Sequence, residues 1–189
     1  MTNHSATKKD VAPDSYAVVT GPATIRIERL LPGPIERVWS YLTDSNKRAT
    51  WLAAGRMDLH VGGLVEHIFH NNALTENDDP APAKYESQAE EARMSGRIIA
   101  VDPPRLVSYT WAEGSGVDSE VRFELTPVDD KVRLLVIHSR LGTRNEMVGV
   151  SGGWHAHLDV LVARLSDRTP PGFWRSFNRL EAEYEERIP

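Results

Sequence analysis

The chain has no cysteine, which excludes disulfides, thiolate metal ligands and a cysteine nucleophile together. It has no lysine and arginine cluster, and its formal net charge is -5. Nucleic-acid binders work through a basic patch, so no nucleic-acid partner is expected. No apolar run reaches the roughly 20 residues needed to span a bilayer. The polar stretch from Met1 to Asp10 also lacks the apolar centre of a signal peptide. These absences point to a soluble, cytoplasmic protein without a membrane span.

What is present suffices for one domain. A hydrophobic fraction of 40% in 189 residues can build a real core. The strongest helical signal lies late in the chain. Trp154, Leu158, Leu161 and Leu165 recur at i, i+4, i+7 and i+11, one apolar stripe of a helix expected over residues 147 to 166.

The segments before it read mostly as strands. Thr24 to Arg29 alternates polar and apolar residues. Pro34 and Glu36 then open a helix with Ile35, Val38, Trp39 and Leu42 on one face, and Asp44 and Ser45 cap a second short helix ending near Trp51. Strands are expected at Arg56 to His60, Leu64 to His70, Met94 to Val101, Leu106 to Trp111, Val117 to Leu125 and Val132 to His138. Val65, His67 and Phe69 are expected to point inward, with His70 on the opposite face. Short turn-like connectors between the later strands make an antiparallel meander.

Three stretches fall outside this plan. Residues 1–22 are read as a flexible lead-in. Residues 71–89 are polar, acidic and too long for a hairpin loop, so they are a lid or a mobile excursion. Residues 169–189 are a helical extension in which Phe173, Phe177, Leu180, Tyr184 and Ile188 share a stripe, to be docked on the 23–168 domain or used for self-association.

The order of strand, two helices, antiparallel run and long helix resembles the helix-grip fold of the START-like superfamily. Within it, the chain is most similar to the family of the activator of 90-kDa heat-shock protein ATPase. The likeness rests on Pro34 to Trp39, on Trp51, on Val61-Gly62-Gly63, and on Gly153-Trp154 with the leucines that follow. It covers roughly residues 23 to 166. The resemblance implies an α+β fold: a curved antiparallel sheet of about six to seven strands, with two short helices after the first strand, wrapped around the long helix. It also implies that the helix stands off the sheet over an apolar cavity.

Residues expected to line that cavity are Trp51, His67, Phe69, Trp111, Phe123, His138, Trp154 and Leu158, around a small hydrophobic or aromatic molecule. His138 and His67 are its polar handles. In an alternative cyclase or lyase reading, either one shuttles a proton. A further alternative, implied by the family name, is a module that contacts a chaperone through its surface.

No cofactor and no metal are expected. His67 and His70 lie on opposite strand faces, and His155 and His157 point different ways on a helix. Gly149-Val150-Ser151-Gly152-Gly153 matches the G-x-S-x-G nucleophile elbow. That motif needs a strand before it, and Thr143 to Met147 is not strand-like, so the match is read as coincidence. The glycine pair either loosens a helix start or lets a strand or ligand approach the backbone closely.

Overall fold

Every second side chain of the strand Thr24–Pro32 faces the core. Ile25, Ile27, Arg29 and Leu31 are buried, and the residues between them are only partly so, as a strand with one packed face requires. The structure, a computed structural model, describes residues 15–112 and 118–189. Its strands are β1 (Val18–Gly21), β2 (Thr24–Pro32), β3 (Leu64–Phe69), β4 (Ala92–Asp102), β5 (Leu106–Trp111), β6 (Ser119–Val128) and β7 (Lys131–Ser139). They form one antiparallel sheet in the order β1-β2-β7-β6-β5-β4-β3. β3 to β7 is a meander. The helices α1 (Ile35–Thr43) and α2 (Ser45–Arg48) carry the chain from β2 to the far edge at β3.

The same alternation sets the inner face elsewhere. β3 contributes Val65, His67 and Phe69, β6 contributes Ser119, Val121, Phe123 and Leu125, and β7 contributes Val132, Leu134, Val136 and His138. Across this concave face lies α4 (Arg144–Leu165), and on α4 lies α5 (Phe173–Arg187). The architecture is therefore the expected α+β helix grip, with α5 as an added layer.

That added layer explains why α4 is buried nearly all round. Trp154, Leu158, Leu161 and Leu165 are buried, but so are Ser151, Gly152, His155 and Ala156. A helix covered on two sides has no polar face to spare. α4 also starts earlier than the apolar stripe suggests. Thr143 Oγ1 accepts from the Glu146 N–H at 3.2 Å, and Glu146 Oε2 accepts from the Thr143 N–H at 2.8 Å. This capping box starts the helix at Arg144, leaving Gly152 and Gly153 well inside it.

The glycines thus mark neither a frayed start nor a bound strand. A Cβ on Gly152 would stand 3.5 Å from Glu181 Cα and 3.6 Å from Phe177 Cε2. It is α5 that presses close. Ser151 is buried in mid-helix, where no nucleophile elbow can form, and its Oγ finds no partner.

Other readings change as well. Arg56 to His60 is not a strand; it makes only the isolated bridge Met57 to Val65. The segment folds back on itself, with His60 N–H on Asp58 O and Gly63 N–H on His60 O. The start of β6 at Ser119 leaves Val117 outside the described residues.

The expected lead-in is ordered from Ser15 onward. β1 pairs with β2, Arg29 donates to Ser15 O at 2.7 Å, and the Ala17 N–H donates to Tyr184 Oη at 2.6 Å. Residues 1–14 of that expectation lie outside the described residues.

The 71–89 excursion and the 169–189 extension are a single packing unit. The excursion holds two 3-10 turns (Asn71–Ala73 and Ala83–Tyr85) and the short α3 (Glu86–Ala89). Thr75 Oγ1 accepts from the Phe173 N–H at 2.9 Å, and the Asp78 carboxylate accepts from Trp174 at 2.7 Å and Arg175 at 3.1 Å. The opening amides of α5 therefore find their acceptors on a segment nearly 100 residues earlier in the chain. Tyr85 donates to Glu181 at 2.9 Å and Trp174 to Asn72 at 2.9 Å. The stripe residues of α5, Phe173, Phe177, Leu180 and Tyr184, are buried against the domain.

Candidate ligand site between the sheet and the long helix

A pocket of about 120 Å³ opens where α4 stands off the sheet. Phe69, Trp111, His138 and Trp154 form its aromatic walls, with Leu52 and His157 at its sides. The partly exposed Val150 and Gly153, one turn apart on α4, form its rim. Trp111 packs 5.2 Å from Trp154 between ring centroids, and 5.5 Å from His138.

Each polar group here has an assigned task. Trp154 Nε1–H donates to His138 Nδ1 at 3.0 Å, so that nitrogen carries the lone pair. The proton of the neutral ring is then on Nε2, which donates to Ser119 Oγ at 2.9 Å. Burial pushes the His138 pKa down to about 3. A ring that is neutral and bonded at both nitrogens is a fixed wall.

His157 is arranged differently. Its Nδ1 stands 2.8 Å from the Trp51 carbonyl, which can only accept, so Nδ1 bears the proton and Nε2 keeps its lone pair. Burial lowers its pKa to about 4, against the opposing effect of that backbone bond. His157 therefore brings an acceptor to the pocket.

The structure brings four of the eight expected residues to the pocket: Phe69, Trp111, His138 and Trp154. The other four stand one layer behind. Trp51 is fully buried and donates to Tyr41 O at 2.8 Å, so its neighbour Leu52 faces the pocket instead. Phe123 packs edge-on behind Trp154 at 5.4 Å, and Leu158 is buried further along α4.

His67 lies 5.0 Å from Trp111 between ring centroids and 3.3 Å (Nε2) from Tyr109 Oη. Its pKa falls to about 3, first through burial and then through the Arg48 charge. That buried guanidinium donates to Ala53, Gly55 and Glu66 carbonyls.

Leu52, Val150, Gly153 and His157 were not expected. A helical wheel drawn from Trp154 would have placed Val150, four residues before it, and His157, three after, on the same side.

Among the described residues, no group of three or more His, Asp or Glu side chains converges as a metal site would. None of the described helices is long and apolar enough to cross a membrane.

With this geometry in place, comparison with known proteins decides the family. Residues 32–166 match the model of the Activator of Hsp90 ATPase homolog 1-like protein family. The chain belongs to this family.

Its fold recurs in solved structures. The solution structure of the Bordetella parapertussis protein encoded by BPP1335 is 42% identical, with 93% of this chain and 92% of that one covered and a TM-score of 0.78. That coverage runs well beyond residues 32–166. CalU16 from Micromonospora echinospora is 23% identical, with coverage of 87% and 88% and a TM-score of 0.63. DynU16, a protein in the dynemicin biosynthetic locus, is 19% identical, with coverage of 79% and 49% and a TM-score of 0.63. The last two are alike in fold. No curated protein matches the chain.

Proposed function

We propose that the protein binds a small aromatic molecule by enclosing one ring between the sheet and α4. The observation that carries this reading is the pocket of about 120 Å³ walled by Phe69, Trp111, His138 and Trp154. Drug-sized ligands occupy roughly 300–1,000 Å³, so the pocket is too small to enclose such a molecule whole. A dry cavity of about 150 Å³ is known to admit benzene, which sets the scale at a single ring. Offset and edge-to-face contacts with four aromatic side chains favour a ring over an aliphatic chain of similar size. The lone pair on His157 Nε2 supports a ligand bearing one O–H or N–H.

Phenol is the matching probe. Titrated into labelled protein, it is expected to shift the Trp154 Nε1–H and His157 resonances in a saturable way. Val150→Trp, which fills the rim, is expected to abolish the shift while the protein stays folded. An unchanged spectrum at millimolar phenol would sink the reading.

The engaged nitrogens of His138 and the burial of His67 favour binding over the proton-shuttling alternative. Contact with a chaperone, as the family name suggests, would use an outer surface. Stimulation of a chaperone ATPase that survives Val150→Trp would support that role instead.

A further inference from the structure

Phe69 is shared by two spaces. One is the inner pocket, and the other is a cleft of about 480 Å³ between the β3–β4 edge and the α5 layer. Tyr85, Ala92, Met94 and Trp174 line this outer cleft. Tyr85 and Trp174 lie nearly parallel there, 23° apart with centroids at 6.2 Å. Asn71 also lines it, and its Oδ1 is buried without a hydrogen-bond partner. A buried, unpaired carbonyl is costly in a folded protein. Turning the Asn71 amide toward the cleft would let a ligand N–H or O–H satisfy it.

We infer that the outer cleft is a second subsite and that the ligand is an elongated molecule of two parts. A single aromatic ring occupies the inner pocket. A planar second group with a hydrogen-bond donor lies in the outer cleft on Asn71, and the link between them passes Phe69. This rests on the proposed aromatic occupant of the inner pocket. The outer cleft exists because the 71–89 excursion and α5 pack together, so these two segments set the length of the ligand.

The test compares phenol with a benzanilide that keeps the phenol hydroxyl, 4-hydroxybenzanilide, whose anilide N–H and ring form the second group, by calorimetric or NMR titration of the full chain. The anilide is expected to bind at least about tenfold more tightly, because a second buried ring and a hydrogen bond are added. Ala92→Trp fills the outer cleft and should remove that gain while leaving phenol affinity within about twofold. Asn71→Leu should weaken the anilide by about fivefold and raise the melting temperature of the free protein, since it deletes an unpaired acceptor. Should Ala92→Trp fail to fold, Asn71→Leu decides. Phenol binding with no gain for the anilide, or a gain that survives the variants, overturns the outer subsite alone. Failure of phenol to bind overturns the inner-pocket reading and this inference with it.

Discussion

Trp154 donates its indole N–H to His138 Nδ1 across 3.0 Å, joining the middle of α4 to the end of β7. The bond ties the helix to the sheet beside the pocket, and it dictates which nitrogen of His138 holds the proton. An imidazole so placed cannot accept a second proton without first losing its indole partner.

The first prediction concerns that ring. Nitrogen-detected NMR should find His138 in the Nε2–H tautomer, with shifts that stay flat from pH 5 to pH 8. Trp154→Phe keeps the aromatic body but leaves Nδ1 unpaired and buried, and is expected to cost about 1–3 kcal/mol of stability. A midpoint for His138 near 6.5 would contradict the bonding described here.

Stability should also fall in acid. Burial depresses His67, His138 and His155 to about 3 and His157 to about 4, from an ordinary 6.5. Between those values the unfolded chain binds more protons than the folded one. The stabilisation is therefore complete above about pH 6.5 and is lost as pH falls toward 4 and then 3. Each histidine contributes a slope of up to about 1.4 kcal/mol per pH unit within that window. Urea midpoints measured at pH 7.5, 6, 5 and 4.5 should decline steadily, and a flat series would refute the buried neutral histidines.

Asp78 is expected to control the extension. Its carboxylate accepts from the amides of Trp174 and Arg175, so Asp78→Ala strips two acceptors from the start of α5. A loss of about 1–2 kcal/mol is expected, as for other N-terminal caps. Hydrogen exchange should quicken at residues 173–176 and across 71–89 together. Faster exchange in α5 alone would mean that the two segments are not one unit.

Gly152 offers a test by size. A methyl group there meets Glu181 and Phe177 at ordinary contact distance, while alanine is roughly 1 kcal/mol the better helix former. Gly152→Ala should therefore be neutral or stabilising by up to about 1 kcal/mol in a thermal melt. Gly152→Leu should push α5 away and cost about 1–3 kcal/mol. Equal tolerance of both would refute the close approach.

Periodicity placed the strands and the long helix, and the family resemblance arranged them as a helix grip. The inward sets Val65-His67-Phe69, Val121-Phe123-Leu125 and Val132-Leu134-Val136-His138 follow from the two-residue repeat of a strand. The Trp154 stripe follows from the repeat of a helix. The Thr143 to Glu146 capping box, which marks the true start of α4, is also a local pattern, but the apolar stripe alone put that start at residue 147. Local chemistry determines such features because the interacting groups are close in sequence.

Tertiary structure alone decided the rest. Whether Trp51 or Leu52 faces the pocket depends on where α2 lies against α4, as the bond between His157 and the Trp51 carbonyl shows. The 71–89 segment looks like a mobile excursion because it is polar, acidic and too long for a hairpin loop. Thr75, Asp78 and Tyr85 find their partners on α5. Hydrogen-bond donors and acceptors can be counted in a sequence, but which of them meet is settled only when distant segments pack.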